Sequence, residues 1–308
     1  MDRIDAMRAF IAVTTEGGFT HAARRLNTSP QQISKQVSQL EERLGVRLLN
    51  RTTRKVHLTE AGSRLVLHAR QILDDIDDME NQLGNLQQSA RGQLRISAPV
   101  SFATLHLTPL LHDFQLAYPA VDIDLQLNDR KVDIVEEGFD IALRIGRLKS
   151  SSLIARRIAP VRLVMCASPA YLARHGTPRH PEELQGHRYL HYHYMEEGLG
   201  HPHLQAWLRT AERAQGGQLR SNNGEVLVQA AMAGAGITIQ PTFIAGQAIH
   251  DGRLQVILPD HEPAPMGLYA VYAHRKLQAS KVTCFLDFLD GYFGDPPFWD
   301  RFDHRASA

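Results

Sequence analysis

Apolar residues recur at helical spacing through the first ninety positions, and the breaks between them divide that stretch into four helices and a small hairpin. Met7, Phe10, Ile11 and Thr14 share one helical face, and Gly17-Gly18 end it, since glycine costs about 1 kcal/mol relative to alanine inside a helix. Thr20 is placed to cap a second helix, His21 to Leu26, with Ala22, Ala23 and Leu26 inward. Asn27-Thr28 make a turn, Ser29 supplies an N-cap oxygen and Pro30 takes the first helical position. Ile33, Val37, Leu40 and Leu44 then form a buried stripe that leaves Gln31, Gln32, Ser34 and Lys35 on other faces, and Gly45 closes the helix. Arg47 to Arg51 and Arg54 to Leu58 flank Thr52-Thr53 as a hairpin, with Leu48, Val56 and Leu58 inward. After a cap at Thr59, Leu65, Ala69, Ile72, Ile76, Met79, Leu83 and Leu86 repeat at four-three spacing. That is a coiled-coil seam, which a single helix cannot bury and which predicts pairing with a second copy.

Beyond Ser89-Ala90-Arg91-Gly92 the period changes to alternating strands and helices. Strands are expected at Leu94 to Ala98, Val121 to Leu127 and Ile141 to Ile145, with helices from Pro99 through Leu105 to Tyr118 and at Val132 to Glu137. A second unit begins near Leu163 to Ala167, with helices at Pro169 to Arg174, His203 to Arg213 and Gly224 to Ala233. Its strands are expected at Tyr189 to Tyr194, Gln218 to Arg220 and Ile237 to Gln240. A late strand at Gly267 to Ala273 and an amphipathic helix at Ser280 to Phe293 complete two α/β lobes with mainly parallel sheets and a cleft between them.

Length and composition agree with several folded domains: 308 residues, 43% hydrophobic, 22% charged. No stretch nears eighteen uncharged apolar residues and the N-terminus carries no apolar signal core, so a cytoplasmic protein without membrane contact is expected. Two distant cysteines, Cys166 and Cys284, argue for reduced thiols rather than a disulfide framework or zinc finger. The net charge of +1 says little, but its distribution says more. Residues 1–58 hold ten Lys/Arg against five Asp/Glu, and residues 59–90 hold two against six. The first block is suited to phosphate and the second is not.

A polar helix beside a basic hairpin suits double-stranded DNA. Thr20, Ser29, Pro30, Gln31, Gln32, Ser34 and Lys35 would reach bases and phosphates in the major groove, and Arg51, Thr53 and Arg54 would form a basic wing. The ordinary alternative for the polar stripe alone is a solvated helix face.

With those features in place, the chain resembles the LysR-type transcriptional regulators over essentially its full length. The likeness is carried by Phe19 to Asn27, Ile33 to Val37, Leu40 to Gly45, Arg51 to Arg54 and Leu58 to Gly62, and in the second half by Val132 to Gly146 and Cys166 to Leu172. It implies an N-terminal all-α winged helix-turn-helix (1–59), a coiled-coil linker helix (60–90) and a C-terminal two-lobed α/β effector domain of periplasmic-binding-protein type (91–295). Lobe I would be 91–162 with 268–295, lobe II 163–267, and 296–308 a tail. It also implies a homotetramer built as a dimer of dimers and a small effector that alters promoter output, with RNA polymerase a candidate partner. Gln31-Gln32 depart from the small or mixed residues common in the family, which leaves base preference open.

Ligands in such folds gather at strand carboxyl ends near helix N-termini. That rule, with the resemblance, nominates Pro99, Val100, Ser101, Phe102, Asn128, Asp129, Arg144 and Asn223 as effector contacts, although Ser101, Asn128 and Asn223 would also serve as simple caps. The expected effector is a small organic molecule, with aromatic compounds and carboxylates first in line. No cofactor is expected. His187, His191, His193, His201 and His203 cluster in sequence without an acid or cysteine at a recognised spacing, so no metal site is assigned. No P-loop, HExxH, GxSxG or strand-linked GxGxxG points to catalysis, and Gly234-Ala235-Gly236 reads as tight packing. The competing readings are a solute-binding protein and an architectural DNA binder indifferent to ligand.

Overall fold

The computed structural model describes residues 2–51, 56–83, 90–130, 133–147, 153–194, 202–213, 219–273 and 279–305. They form two compact units that divide near Gly92.

The N-terminal unit opens with α1 (Arg3–Glu16), α2 (Phe19–Arg25) and α3 (Pro30–Leu44). Asp2 caps α1 by accepting from the Ile4 N–H at 3.0 Å, and Gly17 ends it with φ 69°. The second helix starts one residue before Thr20 with Gly18 at its N-cap, so Thr20 does not cap it and stands exposed. Ser29 caps α3 by accepting from the Gln32 N–H, with Pro30 first in the helix and Gly45 at its left-handed end. Strands β1 (Leu49–Arg51) and β2 (Val56–Leu58) pair antiparallel. Phe10, Val13, Ala22, Ile33, Val37, Leu48 and Leu49 make the core. Leu26, Leu44 and Leu58, expected inside, are exposed because the helices and hairpin are too short to bury their ends, and Leu49 is buried in the hairpin instead.

The long helix α4 (Glu60–Leu83) adds Val66, Ala69 and Leu73 to that same core. Ala69 is therefore spent inside its own unit, and Leu65 packs partly there as well. The stripe that faces the core runs through Val66, Ala69 and Leu73, one step round from the seam, and Ile72 of the seam is 44% exposed. The side chains of Met79 and Leu83, and Leu86 altogether, lie outside the described residues.

The second unit holds two five-stranded mixed sheets. The first contains β3 (Gly92–Ala98), β4 (Val121–Leu127), β5 (Ile141–Gly146), β6 (Ile154–Val161) and, much later, β12 (Met266–Tyr272), in the order β4-β3-β5-β12-β6. β3 and β5 are parallel, while β12 runs antiparallel to both neighbours. The second contains β7 (Leu163–Ala167), β8 (Tyr189–Tyr192), β9 (Arg220–Ser221), β10 (Ile237–Pro241) and β11 (Gln255–Ile257), ordered β11-β7-β10-β8-β9. β8 is parallel to β9 and β10, but β7 is antiparallel to β10 and β11. The expectation of mainly parallel sheets is thus corrected to mixed ones, because β7 and β12, the strands on which the chain enters the second sheet and returns to the first, run antiparallel to their neighbours.

Helices cover these sheets: α5 (Val100–Phe102), a π turn (Ala103–Leu107) and α6 (Thr108–Ala117) in one run, then α7 (Pro169–His175), α8 (Pro202–Arg213), α9 (Gly224–Met232), α10 (Thr242–His250) and α11 (Ser280–Leu289). The helix expected at Val132 to Glu137 is a turn over 134–138, closed by Gly138 at φ 68°, and residues 131–132 are outside the described set. Pro160 sits in β6, an edge strand, where a missing N–H is tolerated. Gly236 packs so closely that a Cβ would lie 2.6 Å from the Arg188 carbonyl oxygen, as the glycine pair suggested. Burial pushes the Cys166 thiol up to about 12, and Cys284 is half-buried.

Gly62 in α4 makes a close approach. A Cβ there would overlap the Leu48 carbonyl oxygen, and that backbone cannot give way without moving the hairpin. Alanine improves helix propensity by about 1 kcal/mol, yet the overlap costs about 1–3 kcal/mol in backbone shift. Gly62→Ala is therefore expected to lower the urea midpoint of the N-terminal unit, and an unchanged or raised midpoint would show that helix propensity governs this position.

Candidate functional site

Two regions carry chemistry, one in each unit. In the first, α3 presents Gln31, Gln32 and Lys35 as exposed side chains along the face opposite Ile33, Val37 and Leu40. Amide and hydroxyl groups in that position match the donor and acceptor pattern of base edges, and a lysine reaches phosphate or guanine. Ser29 and Pro30 fix the start of the helix, while Ser34 is half-buried and engaged. The helix is also tied to the hairpin. The Glu41 carboxylate accepts from the Leu48 and Leu49 N–H groups at 2.8 and 3.1 Å, which joins α3 to the start of the hairpin. Thr59 completes the joint by donating to the Arg47 carbonyl at 2.7 Å and accepting from the Gly62 N–H. Arg51 has its backbone in β1, but its side chain, with Thr53 and Arg54, lies outside the described residues.

The second region is a cavity of about 690 Å³ in the α/β unit. Its walls come from the carboxyl ends of β3, β4, β5, β8 and β10, the location expected for such folds. Of the nominated residues, Pro99, Ser101, Phe102, Asn128, Asp129 and Arg144 line it, whereas Val100 and Asn223 do not. Val100 donates its N–H to Asp129 at 3.0 Å, and Asn223 caps α9 by accepting from Val226, leaving Gly224 to face the cavity. Arg144 lines the wall with donors already committed to the Leu143 carbonyl and the Ser97 hydroxyl. Ser101 lines the same wall from the start of α5 and is 5% exposed.

The sequence reading missed Arg147, Tyr192, Gln240 and Phe243 on this wall. Gln240 and Phe243 flank the end of an expected strand, so the same carboxyl-end rule would have found them. Tyr192 and Arg147 carried no comparable signal. The apolar part of the wall includes Phe102, Phe243, Ile244, Ile145 and Met266. Among the described residues Arg130, Arg144 and Arg147 outnumber the one lining carboxylate, Asp129, so the cavity favours a negative group on an apolar body. Among the described residues no three His, Cys, Asp or Glu side chains converge for a metal; His201 is not among them, nor is the side chain of His203.

Known proteins resemble both regions. Residues 4–63 match the family described as bacterial regulatory helix-turn-helix protein, lysR family, and residues 87–294 match the LysR substrate binding domain. An uncharacterized HTH-type transcriptional regulator of Haemophilus influenzae is 37% identical over 288 residues, 92% of this chain and 98% of that protein. The HTH-type transcriptional regulator DmlR of Escherichia coli is 34% identical, covering 95% of each. The full-length structure of AphB, a Vibrio cholerae virulence activator, superposes with a TM-score of 0.57 at 30% identity, over 95% of this chain and 99% of that one.

Two measurements test the site. If Lys35 contacts phosphate, Lys35→Ala weakens binding to all DNA sequences alike and lowers the slope of log K against log salt by about 1; a loss restricted to one base position assigns it to base reading instead. For Asp129, burial is the larger influence and raises its pKa above the ordinary carboxylate value, against the Val100 N–H and the Arg144 charge. The folded state then holds this proton more tightly than the unfolded chain, so stability falls as pH rises from the unfolded value through the folded one. Asp129→Asn keeps the acceptor and drops the charge. It is expected to raise the melting temperature at neutral pH, with the gain vanishing towards about pH 4, and a gain independent of pH would refute the assignment.

Proposed function

The chain belongs to the LysR family of bacterial transcription regulators, and on that footing we propose how its two regions divide the work. It binds DNA through its helix-turn-helix, and a small-molecule effector held in the α/β unit modulates its output. In our reading α3 enters the major groove with Gln31, Gln32 and Lys35 foremost, supported by Thr20, Ser29, Pro30 and Ser34. The wing residues Arg51, Thr53 and Arg54 follow the adjacent phosphates. The seam residues Ile72, Ile76, Met79, Leu83 and Leu86 pair with those of a second copy, and two such dimers form the tetramer. Leu65 and Ala69, drawn into the unit's own core, contribute less to that pairing than the heptad count implies.

The effector in this reading is a small organic anion with an apolar body. The observation that carries it is a largely apolar cavity in which, among the described residues, three arginines face one carboxylate. Regulation rather than catalysis is the proposed activity, in the cytoplasm and with RNA polymerase as the downstream partner; no described helix is long and apolar enough to cross a membrane.

Footprinting of the full-length protein on the promoter beside its own gene is expected to show protection with two-fold symmetry; scattered protection without a dyad argues for an architectural binder. The double variant Ser101→Ala, Phe102→Ala is expected to keep that footprint and to lose the promoter's response to its inducing condition in a reporter strain. An intact response would move the effector site elsewhere.

A further inference from the structure

The C-terminal segment after α11 has no part in the regulation described so far. It ends in a 3₁₀ stretch, Phe298–Arg305, whose Trp299 is only 7% exposed. The indole meets Phe102 edge-on at 5.8 Å and Phe243 at 6.3 Å between ring centroids, and His106 lies at 5.0 Å. Phe102 follows the first strand of one sheet. Phe243 belongs to α10, reached from β10 of the other. Both rings line the cavity from the front, and Trp299, which is not on the cavity wall, backs them from behind.

His106 reinforces the same join. It projects from the π turn, and its Nε2 lies 2.8 Å from the Phe243 carbonyl oxygen. Burial holds its pKa below the ordinary value, so the ring is neutral and packs as another aromatic. The Trp299 indole N–H, though buried, has no hydrogen-bond partner among the described residues. A buried donor left unpaired is costly, so the ring is held there for its shape and not for its N–H.

We propose that Trp299 is a positioning residue: the C-terminal turn clasps the two lobes together, and its indole fixes the edge-on contact of Phe102 and Phe243, 5.5 Å between centroids, without touching what binds in the cavity they line. The proposal rests on the cavity being the effector site. Edge-on aromatic pairs have preferred geometries, and a ring wedged behind two wall residues transmits any change in lobe separation to both. A tail that served only as an external docking patch would leave its tryptophan exposed.

Hydrogen exchange by mass spectrometry on the full-length protein tests the clasp. In Trp299→Ala, segments 101–108 and 241–250 are expected to exchange together about tenfold faster or more, while 163–167 and 4–44 keep their rates. Trp299→Phe, which keeps an aromatic ring and drops the unpaired donor, is expected to behave as wild type. Should Trp299→Ala not fold, Trp299→Leu carries the comparison. Acceleration confined to 293–305, or a phenylalanine variant as loose as the alanine one, overturns the proposal.

The effector reading is separated by titration with 1-anilinonaphthalene-8-sulfonate, an apolar anion. The fluorescence lost in Ser101→Trp defines the cavity component, and Trp299→Ala is expected to weaken that component about tenfold, with Trp299→Phe restoring it. A missing Ser101-dependent component alongside the expected exchange pattern overturns the effector reading and supports the coupling of the lobes. The reverse pair of results overturns the coupling alone.

Discussion

The α/β unit depends on one ion pair at the place where the chain changes sheets. The backbone passes from the first sheet to the second at Arg162 and returns through residues 258–265, and there the Arg162 guanidinium meets the Glu262 carboxylate through two bonds of 2.8 Å. A bidentate pair of this kind is stronger and more directional than a single charged contact, and both partners are largely shielded from water. The Arg162 carbonyl also accepts from the Thr242 N–H at 2.9 Å, tying the start of α10 to the crossing. That anchorage acts together with the His106, Phe102 and Phe243 contacts to hold the strand ends that form the cavity, since only two covalent connections link the sheets.

The return strand explains why one pair can matter so much. β12 enters the first sheet between β5 and β6 and hydrogen-bonds to both, so residues more than a hundred positions apart close the sheet. Such long-range pairing incurs loop-closure entropy before any contact repays it. The buried Lys281 helps at the other end, donating to the Gln93 carbonyl at 2.6 Å beside Asp140 and so holding α11 to the start of β3. Asp140 in turn accepts from the Arg95 N–H. These polar clamps sit at chain entries and exits, while Leu94, Ile96, Ile141, Ala142 and Leu143 fill the interior.

How far the sequence revealed all this follows from the range of the forces involved. The helix-turn-helix was legible because its caps, glycine stops and apolar stripe are local, and Ser29, Pro30 and Gly45 act within one turn of where they stand. Strands bounded by turn residues were equally plain: Val121–Leu127 and Leu163–Ala167 lie where alternation and apolar runs put them. β6 was missed because Arg156, Arg157 and Pro160 break its pattern, and only its pairing with β12 makes it a strand. The expected helix over residues 132–137 failed because Gly138 in a left-handed conformation closes a turn there. The C-terminal tail was opaque for the same reason as β6: Trp299 gains its place from Phe102, His106 and Phe243, none of them near it in the chain.

The candidate site teaches a narrower lesson. Residue type nominated Arg144 and Ser101 alike, but packing has used them differently. Arg144 spends donors on Leu143 and Ser97, and so shapes the field of the cavity from a fixed position. Ser101 stands at the same wall, at the start of the helix that follows β3. Glu41 shows the same distinction in the other unit, since its carboxylate accepts from the Leu48 and Leu49 N–H groups and so joins α3 to the hairpin. A functional group is therefore recognised by the contacts the fold has given it as much as by its chemistry. Those contacts do not exist until the chain has folded, which is why they cannot be read from spacing alone.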